Sequence, residues 1–585
     1  MSGQLQVETV VAGGIVYDGE GTFGRRADVW IADGRVAQLM PHGTPPPDRA
    51  SVVDADGAWV MPGFIDLHTH YDAELEISPS LSESLRHGVT TILVGSCGLS
   101  LAVGTAEDLA DMFCRVEGIP RSSVLEILDQ VLDWDDPAGY LRHLDSVPTG
   151  PNVVALLGHS TIRAKVMGLG PSLEAGRRPT SDEMDAMVAM LEDSLDEGFL
   201  GLSINTLPWD KMGGDRYRSK PTPSTFSTFS EYRKFMSVLR RRSRIFQGVP
   251  DLSGRWNLAL FAAGSTGWFR PRLKTMIISM MDVKAAPGMY RLLGTFGRLV
   301  NGPMRGNLRF QSLPTPFDLT VDGMEVPVLE EIGAGTEALH LEDPSERSAL
   351  LNDPDYRRRF MDQWGNRWAG KAYHRDLNEA KIIGAPDDKL VGKTFGQIAA
   401  MRGQDPVDTF LDLQAEYGND LRWFTVVANS ADKSIRRIIS DSSVLIGFSD
   451  AGAHLRNMAF YNFPLRMLKL VRDAELVGDN FMSIGDAVKR LTSELADYLG
   501  IDAGRLTPGS RADIAIINPE GLDDSLAELH ESTMPEFGNL SRMVRRNDGA
   551  VRAVLVNGRL AWDGDQLVDG VGVKNDFGQV LRATA

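Results

Sequence analysis

Two histidines stand one residue apart in the stretch "PGFIDLHTHYDAEL", residues 62–75, of a 585-residue chain that contains ten histidines. The stretch reads as a short buried strand, and residues two apart in a strand project to the same side. His68 and His70 can therefore direct both imidazoles at one metal ion, which zinc binds at ~2.0–2.1 Å. The spacing predicts a metal site. The plainer alternative is a pair of hydrogen-bonded histidines at a strand end.

A carboxylate follows another apolar run near the far end of the chain. The stretch "LIGFSDAGAH", residues 445–454, places Asp450 directly after that run. If the two runs are neighbouring strands of a closed barrel, Asp450 lies beside the histidines. A carboxylate there can bind the metal and exchange a proton with the reacting groups. His454 is either a further ligand or hydrogen-bonding group, or a histidine at a helix start near the pocket.

The middle of the chain alternates buried-type strands with helix-length segments. Eight such runs occur: "GFIDLH", "VTTILVGSCG", "NVVALLGHS", "GFLGLSIN", "SRIFQGVPD", "TMIISMMDV", "LRWFTVVAN" and "SVLIGFSDAGAH". This alternation predicts an α/β fold, a TIM-like (β/α)8 barrel. Active sites of such barrels lie at the C-terminal ends of the strands, which is where the two histidines and Asp450 fall.

The two ends of the chain read as short strands broken by glycine turns, as in "VETVVAGGIVYDG" and "VRAVLVNGRLAWDGDQLV". We expect residues 1–61 and 506–585 to form one composite β-sandwich domain, with the catalytic barrel between them over residues 62–505. The connection at about 285–417, between the sixth and seventh runs, is too long for an ordinary loop. It predicts an insertion that is either a lid over the site or a partner surface.

Composition narrows the class of protein. The net charge of −18 argues against nucleic acid or an anionic membrane as the main partner. No run approaches the ~20 apolar residues of a membrane span, and "MSGQLQVETVVAGG" lacks the features of a secretory signal. Two cysteines, Cys97 and Cys114, cannot build a disulfide framework. We expect a cytoplasmic protein with no membrane span, and a homo-oligomer remains open.

Several stretches together resemble a known family: "MPGFIDLHTHYD", "VGSCGLSLA", "LLGHSTIRAKVMG", "GFLGLSIN", "IGFSDAGAH" and "LTPGSRADIAIINP". They are similar to the amidohydrolase superfamily, and most similar to its D-aminoacylase branch, the N-acyl-D-amino-acid deacylases. The resemblance implies a TIM-like barrel, a flanking β-sandwich built from both termini and metal-dependent amide hydrolysis. It also implies that Cys97 replaces the usual carboxylated lysine as a bridging ligand. The alternative for Cys97 is a small buried residue in a Gly-rich turn.

The chain departs from that branch at two ligand positions. The branch carries histidines at the ends of the fifth and sixth strands, where Gln247 and Asp282 stand here. Asp282 is a credible oxygen ligand, and Gln247 is a weak one. The ligands that remain are His68, His70, Cys97 and Asp450. We therefore expect one Zn²⁺ per chain, with two as the alternative and another divalent metal still open.

Substrate recognition also differs from the branch, in which a lysine, an arginine and a tyrosine grip the substrate carboxylate. The resemblance places Lys284 on the lysine but finds no tyrosine and no arginine at the matching places, although Arg456 is close to the arginine position. Arg218, in "GGDRYRSKPTP", is a weaker candidate because it can equally lie on a solvated loop. His159, in "LLGHSTIR", is expected to support the site or contact the substrate.

The leading functional expectation is an amide hydrolase that acts on a small-molecule N-acyl substrate. The resemblance implies an N-acyl amino acid, with the D-configuration, attacked by metal-bound hydroxide while Asp450 moves the proton to the amine. Two alternatives stay open. One is hydrolysis of a cyclic amide or another C–N bond. The other is a barrel that has lost its metal and serves as a binding or scaffold protein.

Overall fold

The computed structural model describes residues 6–251, 255–366 and 371–583. The strands are β1 (Thr9–Ala12), β2 (Ile15–Val16), β3 (Arg25–Ala32), β4 (Arg35–Pro41), β5 (Ser51–Asp54), β6 (Trp59–Pro62), β7 (Phe64–Asp66), β8 (Val89–Val94), β9 (Asn152–Ala155), β10 (Leu157–Gly158), β11 (Gly201–Asn205), β12 (Ile245–Val249), β13 (Lys274–Ile278), β14 (Asn307–Ser312), β15 (Phe317–Asp322), β16 (Lys381–Gly384), β17 (Arg422–Ala428), β18 (Val444–Ile446), β19 (Ile514–Ile517), β20 (His530–Met534), β21 (Leu540–Val544), β22 (Val551–Val556) and β23 (Arg559–Trp562).

The α-helices are α1 (Asp72–Ile77), α2 (Ser82–Leu85), α3 (Ala106–Glu117), α4 (Arg121–Val131), α5 (Pro137–Ser146), α6 (His159–Met167), α7 (Leu169–Ser172), α8 (Ser181–Glu197), α9 (Phe229–Arg241), α10 (Arg255–Ser265), α11 (Met289–Asn301), α12 (Gly333–His340), α13 (Pro344–Asn352), α14 (Pro354–Gly365), α15 (Phe395–Arg402), α16 (Pro406–Tyr417), α17 (Asp432–Ile439), α18 (Phe463–Leu476), α19 (Ile484–Leu491) and α20 (Ser493–Leu499). Single 3-10 turns cover Pro223–Phe226, Pro327–Glu331, Gly418–Asp420, Pro519–Gly521, Asp524–Ala527 and Pro535–Phe537. Within the described ranges, no helix is both long and apolar enough to cross a bilayer.

A TIM-like barrel forms the centre of the fold, as the sequence predicts. Its parallel strands run in the order β7, β8, β9–β10, β11, β12, β13, β14 and β18. The barrel closes where Leu67 N donates to Gly447 O at 3.2 Å, next to a parallel bridge between Thr69 and Ala451. Strands such as β8 and β12 are buried along their whole length because helices cover the outside of the barrel.

The seventh barrel strand is β14, and our assignment of "LRWFTVVAN" to that place was wrong. That stretch forms β17, which pairs antiparallel with β15 and β16 outside the barrel. The physical reason lies in the pattern of burial: residues along β17 alternate between buried and partly exposed, whereas a barrel strand is buried on both faces. Its Val, Phe and Trp residues nonetheless resemble those of a fully buried strand in the sequence.

The insertion accordingly follows the seventh strand, and residues 285–306 belong to the sixth β/α unit through α11. Residues 313–429 carry the β15–β17–β16 sheet and a hydrophobic core of their own around Trp423, Phe410 and Phe360. The two stems of the insertion meet, since Asn429 Nδ2 donates to Leu313 O at 2.9 Å and to Thr315 O at 3.1 Å.

Strands from both chain ends form one mixed sheet beside the barrel. Its order is β23, β22, β19, β6, β2, β3, β1 and β5, with β4 paired to β3. The C-terminal strand β19 pairs antiparallel with the N-terminal β6, from Ile514 opposite Pro62 to Ile517 opposite Trp59. We retain the composite terminal domain of residues 1–61 and 506–585 as a proposal on this pairing.

Candidate metal centre

The two histidines lie where β7 leaves the barrel. The backbone continues extended beyond Asp66, so His68 and His70 point to the same side and are both buried. Asp450 N donates to His68 O at 3.1 Å, and His70 N donates to Ala451 O at 2.7 Å. These bonds pair the end of the first strand with the end of the eighth. Closure of the barrel therefore brings together residues that are nearly 400 positions apart in the chain.

Three side chains converge with the spacing of metal ligands. Asp450 Oδ1 lies 3.4 Å from His68 Nε2 and 3.4 Å from His70 Nε2. Tetrahedral ligands at about 2.0–2.3 Å from an ion lie roughly 3.3–3.8 Å apart, so this spacing fits one ion. Cys97 Sγ is 3.4 Å from His68 Nε2, and ligand atoms of His68, His70 and Cys97 all lie within 4.8 Å of one another. Asp450 is close to both histidines but does not belong to the group formed by His68, His70 and Cys97.

Burial sets the protonation of these groups. It lowers the pKa of His68 to about 3 and that of His70 well below its usual value, so both imidazoles are neutral and able to ligate. Burial, reinforced by Asp210 and Asp66, raises the pKa of Asp450 to about 7. Burial also raises the pKa of the Cys97 thiol well above its usual value. A bound cation would reverse the last two shifts because it favours the anionic forms.

The Gly-rich turn after β8 places Cys97. Cys97 takes a left-handed backbone with φ 53°, between Gly95 and Gly98, which both have φ 77°. Cys97 N donates to Gln247 Oε1 at 3.2 Å, and Gly98 N donates to Ser203 Oγ at 2.9 Å. Gln247, proposed above as a weak ligand, thus holds the Cys97 turn with its amide oxygen. Its Nε2 has no partner in the part of the chain that the structure describes.

Gln311 fixes the orientation of His68. Its Nε2 donates to Leu67 O at 3.1 Å, which turns its Oε1 toward His68 Nδ1 at 2.9 Å. His68 Nδ1 is therefore the donor, and its Nε2 keeps a lone pair that faces Asp450 and Cys97. Gln311 was not among the predicted site residues, because the sequence pattern favours "LRWFTVVAN" over "NLRFQS" as the seventh strand.

A cavity of about 270 Å³ opens beside these groups. Barrel loops and the insertion both line it, including Asp210, Lys211, His454, Glu325, Glu330 and Leu339. His454 connects the cavity to the metal centre, since its Nε2 lies 4.0 Å from Asp450 Oδ2. Burial lowers the pKa of His454 to about 4, so its imidazole is neutral. Residues of the insertion therefore form part of the wall of this cavity.

Lys211 is a cation of this cavity that the sequence analysis did not single out. Burial lowers its pKa, against the opposing influence of Glu330. No carboxylate of the described residues lies within 4.0 Å of its ammonium group, whereas Arg115 in the same cavity is paired with Glu330. The available signal was its position, since "LPWDK" directly follows the fourth strand on the catalytic side.

The other predicted site residues have protein partners. Lys284 pairs with Glu379 of the insertion, and Arg218 pairs with Glu342. Arg456 lines the cavity, but its guanidinium binds Asp322 at 2.8 Å and Glu531 at 2.7 Å.

Two further predicted residues serve the architecture around the site. His159 is buried between Ser224 Oγ at 2.8 Å and Glu231 Oε1 at 3.0 Å. Asp282 accepts a hydrogen bond from Gly288 N at 2.9 Å and does not join the group of His68, His70 and Cys97. The structure therefore brings together the first and eighth strand ends with Cys97, and leaves the expected sixth-strand ligand tied to its own loop.

Comparisons with known proteins identify relatives of this chain. The amidohydrolase family model matches residues 51–219. An uncharacterised protein of Mycobacterium tuberculosis is 45% identical over 585 residues, covering 98% of this chain and 96% of that protein. The D-aminoacylase and the N-acyl-D-aspartate deacylase of Alcaligenes xylosoxydans xylosoxydans are 34% and 32% identical over 34% of this chain, and the match covers 37% of each relative.

Solved structures show the same fold. The N-acyl-D-glutamate deacylase of Bordetella bronchiseptica, complexed with zinc and a phosphonate inhibitor, has a TM-score of 0.62 at 22% identity, with 99% of this chain and 100% of that chain covered. A D-aminoacylase has a TM-score of 0.63 at 20% identity with the same coverage. The chain therefore carries an amidohydrolase-family segment over residues 51–219, is similar there to the D-aminoacylases, and is a hydrolase that acts on carbon–nitrogen bonds other than peptide bonds.

Proposed function

We propose that the enzyme removes the acyl group from an N-acyl amino acid or a closely related N-acyl compound, with one zinc ion per chain. The observation that carries the proposal is the convergence of His68, His70 and Asp450 beside a cavity lined by Lys211, whose ammonium group has no carboxylate within 4.0 Å among the described residues. The relatives named for N-acyl-D-amino-acid substrates support the substrate class and its D-configuration.

The residues present fit a metal ion. Two neutral imidazoles, a carboxylate and a thiol offer the N, O and S atoms that zinc prefers, and His70 Nδ1 lacks a hydrogen-bond partner among the described residues. When bound, zinc would polarise the amide carbonyl and lower the pKa of a water molecule to about 7. One solved D-aminoacylase is described as a binuclear centre with one-metal activation and second-metal attenuation, which supports a single active ion.

The chain's own groups would carry the proton and hold the substrate. Asp450 is placed to accept the proton of the attacking water and to deliver it to the leaving nitrogen. The neutral imidazole of His454 faces the same cavity and can donate a hydrogen bond to an acyl or carboxylate oxygen. Lys211 is placed to bind the carboxylate of the substrate. Lys284 is less suited to this role because its ammonium group is already paired with Glu379.

Metal content and a substrate screen test the function together. We expect about one zinc per chain by elemental mass spectrometry, turnover of N-acyl amino acids, and loss of both in His68→Ala. His42→Ala is the matched control, because His42 lies in the terminal segment and is 44% exposed. If only cyclic amides were hydrolysed, the substrate class would be cyclic amides and not N-acyl amino acids. If the protein bound no metal and hydrolysed none of these substrates even after metal reconstitution, it would be a binding or scaffold protein and not a hydrolase.

Lys211→Met should raise KM for N-acyl amino acids by about 10–100-fold with kcat little changed, because a charged hydrogen bond of about 1.5–3 kcal/mol is lost. The same variant should lose little on N-acyl amino acid amides, which lack the carboxylate. Lys220→Met is the control, since Lys220 lies exposed on the same loop. An unchanged KM in an active Lys211→Met enzyme would assign the carboxylate to another group and leave the hydrolase standing.

A further inference from the structure

Positive charge is concentrated in one segment of an otherwise acidic chain. Residues 252–317 contain nine Lys or Arg residues and a single acidic residue, Asp282, whereas the whole chain has a net charge of −18. Residues 252–317 therefore carry a positive charge although the chain as a whole is negative.

Much of this segment lies at the end of the barrel opposite the candidate metal centre. Residues 266–273 lead into the N-terminal end of β13, and residues 302–306 lead into that of β14. The two loops pack together, since Trp268 Nε1 donates to Pro303 O at 3.1 Å and Asn307 N donates to Ser265 Oγ at 2.9 Å. The last turn of α11 adjoins these loops, since its Leu299 O accepts from Met304 N at 3.3 Å.

Large apolar side chains stand out from this surface. Phe269 is fully exposed and Trp268 is about half exposed. Helix α11 buries Tyr290, Gly294, Gly297 and Val300 and exposes Met289, Leu292 and Leu299, which share one side of the helix at its 3.6-residue period. We define the basic apolar face as Trp268, Phe269, Arg270, Arg272, Leu299 and Arg305.

The cations of the basic apolar face lack acidic partners. Arg270 donates to Ala263 O, Thr266 O and Thr266 Oγ1, none of which is acidic. In the described ranges, no carboxylate lies within 4.0 Å of Arg270, Arg272 or Arg305. The nearby Arg241 and Arg242 differ, since they pair with Glu192 and Asp196. Guanidinium groups without acidic partners favour an anionic partner, and the exposed apolar side chains among them favour a partner with an apolar interior.

We propose that the basic apolar face docks the enzyme on an anionic lipid bilayer. Trp and Phe side chains partition to the headgroup boundary, and arginines around them pair with lipid phosphates. Since the face is at the opposite end of the barrel from the metal centre, the docked enzyme keeps its cavity open to the aqueous phase.

A second copy of the chain is a poorer occupant. A two-fold interface places the same patch on both sides, so the arginines of one copy would meet those of the other. The lipid surface has no such conflict, because its charge is negative throughout.

Vesicle sedimentation of the full-length enzyme tests the proposal. We expect binding to vesicles of phosphatidylcholine mixed with phosphatidylglycerol at low salt, and weak binding to phosphatidylcholine alone. The triple variant Arg270→Gln, Arg272→Gln, Arg305→Gln should reduce binding to the mixed vesicles by roughly tenfold or more. Trp268→Ser with Phe269→Ser should reduce it as well, with amide hydrolysis unchanged in both.

The matched control removes three exposed cations of the insertion, with Lys381→Gln, Lys389→Gln and Arg402→Gln. This control should bind the mixed vesicles like the unaltered enzyme. Equal losses in both triple variants would show a general charge effect and overturn the proposal. So would failure to bind the mixed vesicles, or a dimer in solution that Trp268→Ser and Phe269→Ser dissociate, which would assign the face to self-association.

Discussion

Asp450→Asn should lower kcat by about 10²–10⁴-fold, the usual contribution of a positioned acid–base group. The amide keeps the shape of the carboxylate but cannot take up and release a proton at catalytic pH. Its oxygen is also a weaker ligand than the carboxylate that now lies 3.4 Å from both imidazoles. Steady-state kinetics on the substrate found by the screen, with zinc content measured on the same preparations, gives both effects separately.

The control for this prediction is Asp388→Asn, the same chemical change on an exposed residue of the insertion. It should leave kcat, KM and zinc content as they are. If Asp450→Asn retained full zinc and kcat within a few-fold of the unaltered enzyme, another group would have to move the proton. His454 would then be the first candidate, since it lies 4.0 Å from Asp450 in the same cavity.

Asp318→Ala should lower the free energy of unfolding by about 3–5 kcal/mol, because it leaves a buried guanidinium without its counter-ion. Arg545 is 2% exposed, and its Nη2 donates to both carboxylate oxygens of Asp318 at 2.8 Å. Its Nη1 donates to Ala459 O at 2.7 Å. Arg545 thus ties the start of the insertion to the C-terminal part of the chain. Urea denaturation followed by tryptophan fluorescence measures the loss.

Two further variants separate the charge effect from lost packing. Asp318→Leu combined with Arg545→Met should be more stable than Asp318→Ala, since it removes both charges and keeps the volume filled. Asp355→Ala should change stability by at most about 1 kcal/mol, because its pair with Arg358 is exposed on both sides. A destabilisation by Asp318→Ala no greater than that of Asp355→Ala would contradict the role given to Arg545.

The ends of the first and eighth strands could be found from the sequence because barrel closure is a general rule. His68 and His70 are two apart on one strand, and Asp450 ends the strand that must lie beside it. The position of Gln311 could not be found in the same way. The strand "NLRFQS" alternates polar and apolar residues and looks less buried than "LRWFTVV", although the structure places the first in the barrel and the second outside it.

The substrate side was harder to predict, because long-range pairing decides which charges are free. Lys284 and Arg456 stand close to positions that the resemblance favours, yet Glu379, Asp322 and Glu531 neutralise them. Nothing local marks these partners, which lie 75–134 positions away in the sequence. Lys211 lies on an irregular loop, where neither strand nor helix periodicity indicates the direction of a side chain.

The junction at Asn429 makes the insertion an exchangeable part. Its two stems leave and re-enter the barrel at one point, where Phe317 pairs with Ala428 and Asn429 bonds to Leu313 and Thr315. Loop-closure entropy varies only slowly with loop length, so segments of very different size can bridge such a junction at similar cost. Evolution can thus replace the insertion, which lines part of the cavity, and so change which molecules the cavity admits. The strand ends that carry His68, His70 and Asp450 would stay in place.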